Sequence, residues 1–215
     1  MNKYLVALLM TGSLLVVGCN KKQSPPTEFN LQAAGEQTVV EITEEVNATG
    51  TITDAQAESL SKVSDLTLNG LTSITDEQAE SLSKVEWLEL DGLTTITDEQ
   101  AESLSKGTKR LSLDGLTSIS DAQAESLGNV NELFLDGLTT ITDAQAESLS
   151  KVETLLLSGL TSITDEQAES LSRVSWLKLH GLTSITDAQA ESLSKVESLV
   201  ISQDLQPLID KYRNE

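Results

Sequence analysis

The sequence predicts an α/β solenoid: a superhelix of strand–turn–helix coils, stacked so that their strands form one parallel sheet backed by short helices. Three observations carry this expectation. The chain repeats itself, since Ile52, Ile74, Ile96, Ile119, Ile141, Ile163 and Ile185 each precede a Thr/Ser-Asp pair, at steps of 22 or 23 residues. Self-similarity at a period of roughly 20–50 residues marks units that stack rather than fold alone. Leucines alternate within each unit, as Leu66 and Leu68 do, which is the pattern of a short strand with one buried face. A Thr/Ser-Asp-x-Gln box then precedes an Ala and a Leu, as in Thr75, Asp76, Gln78, Ala79 and Leu82. The hydroxyl can take the Gln amide while the Gln side chain returns to the cap, so a helix opens there.

Taken in chain order, residues 1–18 come first. "MNKYLVALLMTGSLLVVGCN" has a basic start at Lys3, an apolar run from Leu5 to Val17, and then Gly18-Cys19. The run is short for a bilayer span, and its place and flanks are those of a secretory signal. "LVVGC" resembles the lipobox of bacterial lipoproteins. That resemblance implies cleavage before Cys19 and lipidation of its sulfur, with palmitate among the acyl chains, and several chains on one residue hold a protein stably at a membrane. Asn20 after the cysteine favours outer-membrane delivery by the same resemblance, so the expected location is the bacterial cell envelope, facing either the periplasm or the outside. Cys19 is the only cysteine, which excludes an intrachain disulfide. Residues 19–37 are polar, carry paired prolines and lack a period, as a flexible tether does.

The array is expected over residues 38–215. "TVVEITEEV", Thr38 to Val46, reads as an N-terminal capping strand within 38–50. Seven repeats follow over 51–202. Each glycine after the strand, such as Gly70 and Gly92, marks a place where the backbone needs either a positive φ or close approach to the next coil. Leu71 and Ile74 point back to the core. Asp76 and Glu77 occupy the first helical turn, where the dipole favours acids, and Glu80 and Lys84 stand at i, i+4 in the favourable order. The core of the unit, L-x-L-x-x-L-x-x-I-T-D, resembles the ITD subtype of leucine-rich repeats, with Leu71 and Leu93 where that subtype often has Cys. The resemblance covers about Val63 to Ile201. It implies a superhelix with a concave parallel sheet that binds ligand and short convex helices. Unit four departs from the pattern: "SKGTKRLSL" has one extra residue, and Gly107 is read at the place of the usual Val. A C-terminal capping helix is expected over 204–213, with Leu205, Leu208, Ile209 and Tyr212 at helical spacing and Asp204 as its cap.

Composition narrows the function. Aromatics are 3% of the chain, and 34 acids against 14 bases give a formal charge of −20. Nonspecific nucleic-acid binding needs a positive footprint, so that class is set aside. An enzyme needs a base, a nucleophile and a charge stabiliser held together. The chain has one histidine, His180, and lacks a P-loop, a G-x-G-x-x-G, an H-E-x-x-H and a G-x-S-x-G motif, so it reads as a non-enzyme without a cofactor. Columns of Asp76-like and Glu80-like acids leave calcium as the lesser alternative, against a plain role in capping and ion pairing.

The units differ mainly around their strand leucines. One column reads Asp65, Trp87, Arg110, Glu132, Thr154, Trp176, Ser198; the next Thr67, Glu89, Ser112, Phe134, Leu156, Lys178, Val200; the third Asn69, Asp91, Asp114, Asp136, Ser158, His180, Ser202. Both tryptophans of the chain lie here. Scarce aromatics gathered on one face are interface material. The candidate partner-binding residues are therefore Trp87, Arg110, Phe134, Leu156, Trp176, Lys178, His180 and Val200, with Phe134, Leu156, Trp176 and Val200 expected as an exposed apolar patch. The expected function is a membrane-anchored module that binds a protein partner; the alternative is an envelope spacer or self-associating element without a specific ligand.

Overall fold

A computed structural model describes residues 37–214. The signal segment, Cys19 and the tether up to residue 36 lie outside the described residues. Two helices open the described part, α1 (Val39–Thr49) and α2 (Asp54–Leu60). Strand and helix then alternate: β1 (Asp65–Thr67), α3 (Asp76–Leu82), β2 (Trp87–Glu89), α4 (Asp98–Ser105), β3 (Arg110–Ser112), α5 (Asp121–Leu127), β4 (Glu132–Phe134) and α6 (Asp143–Leu149). The series closes with β5 (Thr154–Leu156), α7 (Asp165–Leu171), β6 (Trp176–Leu179), α8 (Asp187–Leu193), β7 (Ser198–Ile201) and α9 (Gln206–Arg213). The seven strands form one parallel sheet in the order β1 to β7. The solenoid of leucine-rich coils expected from the repeat is thus the architecture found.

Register follows the repeat. Leu66 pairs with Leu88, Leu88 with Leu111, and so on to Leu199. The central leucines from Leu88 to Leu177 are fully buried, as are the second strand leucines Leu68 to Leu179. The second leucine of each coil donates its N–H to the next coil, as Leu68 N does to Glu89 O at 2.8 Å and Leu113 N to Phe134 O at 3.0 Å.

Two side-chain ladders tie the coils together. The helix of every repeat opens on a complete capping box, from Thr53/Gln56 to Thr186/Gln189. From the second box onward the Gln amide also donates to the preceding coil, Gln100 Nε2 to Ile74 O at 2.9 Å and Gln145 Nε2 to Ile119 O at 2.9 Å. One buried side chain therefore satisfies a helix terminus and a carbonyl of the neighbour. The first-turn aspartates do related work: Asp98 Oδ1 accepts from the Ser120 hydroxyl at 2.7 Å and Asp143 Oδ1 from the Thr164 hydroxyl at 2.9 Å. From Asp54 to Asp165 each aspartate of the column weighed as a calcium site thus spends one oxygen on the next coil's capping box.

The strand-end glycines are there for close approach. Among the described glycines only Gly50 has a positive φ, 72°. A Cβ on Gly92 would sit 2.5 Å from the carbonyl oxygens of Asn69 and Leu71, too near for any side chain.

Four expectations are corrected. Residues 38–46 begin a helix, α1, where a capping strand was expected. Thr38 and Glu41 form a capping box, Ile42 and Val46 bury one helical face, and Gly50 ends it in the left-handed conformation. The β-branched run gave way to the cap and the i, i+4 spacing. At the other end α9 begins at Gln206 without a side-chain cap, so Asp204 does not serve as one; Pro207 sets the first turn instead. Ile209 is fully buried there, with Leu205, Leu208 and Tyr212 packed around it. In unit four the Val position is taken by Thr108, which is buried, and Gly107 is the extra residue. The insertion lengthens α4 to eight residues. Finally, the Glu–Lys pair forms in that unit alone among the described repeats, Glu102 to Lys106 at 3.0 Å. The other helices end at the leucine, one residue before the C-cap serine, which leaves the lysine beyond the helical register.

Candidate functional site

The outward columns become neighbours through the register. Trp87 stands beside Arg110, Arg110 beside Glu132, Glu132 beside Thr154 and Thr154 beside Trp176. Phe134, Leu156 and Lys178 follow one another in the adjoining column. Strands about 4.8 Å apart bring these side chains into mutual contact range, although they are 22 or 23 residues apart in the chain.

Arg110 organises the middle of this face. Its guanidinium carbon lies 4.6 Å from the centroid of the Phe134 ring and 5.8 Å from that of Trp87. Each such contact contributes about 0.5–1 kcal/mol at an exposed site. Its Nε lies 3.8 Å from Glu132 Oε2, and that Nε is buried without a hydrogen-bond partner. Two depressions flank the arginine. One, about 380 Å³, is lined by Arg110, Glu132, Phe134, Thr154, Leu156 and Trp176. The other, about 280 Å³, is lined by Asp65, Thr67, Trp87, Glu89 and Arg110 with strand leucines at its floor.

The structure sorts the predicted residues. Trp87, Arg110, Phe134, Leu156 and Trp176 line the two depressions. Lys178, His180 and Val200 do not. Lys178 Nζ lies 3.5 Å from Asp136 Oδ2, and His180 is exposed just past β6. Trp87 is the one apolar residue of the set that is largely exposed, at 52%. Phe134, Leu156, Trp176 and Val200 are half-buried; the expected exposed patch is instead a partly covered one, because neighbouring strands and the arginine shield its rings. Glu132 and Thr154 complete the wall of the larger depression, and their only sequence signal is membership of the same column.

The third column proves structural over its first four members. Asn69 Oδ1 accepts from Asp91 N at 3.1 Å, Asp91 Oδ1 from Asp114 N at 3.1 Å, Asp114 Oδ1 from Asp136 N at 2.7 Å and Asp136 Oδ1 from Ser158 N at 2.7 Å. These side chains close the coil turns against one another. Burial raises the Asp114 carboxyl above the ordinary aspartate range; the Asp136 N–H opposes the rise, and the charges of Asp136 and Asp91 add to it.

Solved structures similar to the chain include two internalins. One is an internalin, InlF, from Listeria monocytogenes, 16% identical with a TM-score of 0.40, over 76% of this chain and 61% of that one. The other is internalin C2 from the same organism, 18% identical with a TM-score of 0.41, over 76% of this chain and 92% of that one. The chain thus spans less than two thirds of the first. No protein-family model matches the chain, and no curated protein matches it. Among the described residues, no helix is long and apolar enough to cross a membrane.

Proposed function

We propose that the chain is a protein-binding module whose sheet face is the docking surface, held at a bacterial envelope membrane, the outer one, by lipid on Cys19. The observation that carries the binding reading is the assembly of Trp87, Arg110, Phe134, Leu156 and Trp176 on one face of the sheet. The inward face is a near-uniform leucine ladder, and the helices carry the same text in every coil. Within the repeats, variation is concentrated on the outward sheet face and all three aromatics, Trp87, Phe134 and Trp176, lie there, and a guanidinium held between two rings is a residue type and setting that dominates interface energetics. The acid-lined smaller depression favours a partner that presents basic groups beside apolar ones. The anchor rests on the signal segment and its lipobox-like end.

Pull-down from envelope fractions tests the surface, with wild type, Phe134→Ser, Trp176→Ala and the helix-face variant Glu125→Ala as baits. The two sheet variants are expected to lose the partner by tenfold or more, about 1.4 kcal/mol or above, while Glu125→Ala retains it. Equal recovery by all baits contradicts the reading. Labelling with palmitate checks the anchor: the label is expected on wild type and absent from Cys19→Ser.

A further inference from the structure

The two ends of the sheet are finished differently. At the first edge α1 covers β1. Asn47 Nδ2 donates to Thr67 O at 3.1 Å and Asn47 Oδ1 accepts from Gly70 N at 2.8 Å. The edge also carries the exposed charge of Asp65, and Leu66 is 5% exposed. At the other edge, among the described residues, β7 pairs with β6 alone. The closing helix α9 docks on the helix layer, where Arg213 Nη2 donates to Val196 O at 2.9 Å and Ile209 is buried. Leu199, the equivalent of Leu66, is left half-buried.

Edge strands are ordinarily blunted by charge, proline, bulges or cover. Here β7 reads Ser-Leu-Val-Ile with Ser202 after it, without a charge or proline, in a chain of net charge −20. Together with β6 it is also the longest strand of the sheet, four residues against three elsewhere.

We propose that β7 is an interaction edge and that a second copy of this chain fills it, β7 running antiparallel to β7 about a two-fold axis. The backbone phase fits. In every earlier coil the second leucine turns its N–H toward the following strand, as Leu157 N does to Lys178 O at 2.9 Å. Ile201 is that residue in β7, and Leu199 shares its phase because N–H and C=O groups alternate sides along a strand. Both therefore turn their polar groups to the free edge. Pairing Leu199 with Ile201 of the partner keeps core side chains on one face, as register requires, and sets Val200 opposite its own copy at the axis. Two such pairs exchange four hydrogen bonds. Because α1 closes the first edge, copies cannot add head to tail, so the contact ends in a closed dimer and not a filament. The dimer joins two sheets into one continuous outward face with Val200 at its centre.

Sedimentation of the purified protein tests this. Wild type and Val200→Thr are expected at the mass of two chains. Val200→Lys, whose lysines face each other across the axis, is expected to be monomeric with an unchanged circular dichroism spectrum. Under oxidation Val200→Cys is expected to cross-link through residue 200, whereas Ser202→Cys and Thr67→Cys, placed off the axis and at the closed edge, are not. A monomeric wild type overturns the proposal, as does a dimer that survives Val200→Lys or cross-links through Thr67→Cys. The partner pull-down is read separately, on Phe134→Ser and Trp176→Ala, so that failure of one proposal does not decide the other.

Discussion

Single side chains that do two jobs hold the coils together. From Gln78 onward each Gln of the capping box caps its own helix and bonds the previous coil, and each Asp of the turn column bonds the next coil's backbone. The first role was legible, because Thr-Asp-x-Gln is a helix-start signature. The turn column was not. Asn, Asp and Ser at the end of a strand look like free surface until the neighbouring coil is placed beside them, so Asn69, Asp91, Asp114 and Asp136 read only as one more variable column. Their chemistry makes a prediction. The Asp114 carboxyl, raised by burial, protonates more readily in the folded than in the unfolded state. Its contribution is therefore fully present below the ordinary aspartate range and is lost as pH rises through the raised value. Asp114→Asn keeps an oxygen for Asp136 N, as Asn69 does for Asp91 N, and removes the buried charge and its repulsion with Asp91 and Asp136. The variant is expected to melt at a higher temperature than wild type at neutral pH, and the gap is expected to close as pH falls below the aspartate range. A gap that widens in acid contradicts this assignment.

At the scale of elements, strand and helix order from β1 to α8 could be read directly, because each unit repeats the same period and the same cap. The ends could not, since they have no repeat to copy. Residues 38–46 are rich in Val, Ile and Thr, which favours a strand locally. Thr38 and Glu41 at cap spacing, Ile42 and Val46 four apart and Gly50 at the stop favour a helix, and the helix won because it covers the first coil. Val39 and Val40 stay exposed as a result, at 39% and 64%. Replacing Thr38 by Ala removes the acceptor for Glu41 N and one of two donors to the Glu41 carboxylate, the backbone N–H of residue 38 remaining. Loss of such a cap costs about 1 kcal/mol. Urea unfolding followed by circular dichroism is expected to show that loss, and an unchanged midpoint contradicts the assignment of α1 as the closing element. Unit four is the other place where local reading slipped by one residue. Thr108 fills a valine's pocket, and the helix before it absorbs the insertion.

For the whole molecule, stability is a sum over coils and the contacts between neighbours, and so is the docking face. Neither tryptophan is near the other in sequence, and both line depressions that meet at Arg110. That face exists only if each coil nests on the last without slipping, since a shift of one residue would turn Phe134 and Trp87 inward and expose the leucine ladder. Sequence periodicity implied the nesting. It could not reveal how deeply the rings are shielded, which depends on Arg110 reaching across two strands. The most direct test is an inter-spin distance between labels at Thr67→Cys and Lys178→Cys, measured by double electron–electron resonance. Five strand spacings place these backbones about 24 Å apart. With labelled chains diluted in an excess of unlabelled protein, so that only pairs within one chain contribute, in-register stacking predicts one narrow distribution near that value; a broad distribution, or a mean far beyond it, would show splayed coils and contradict the account.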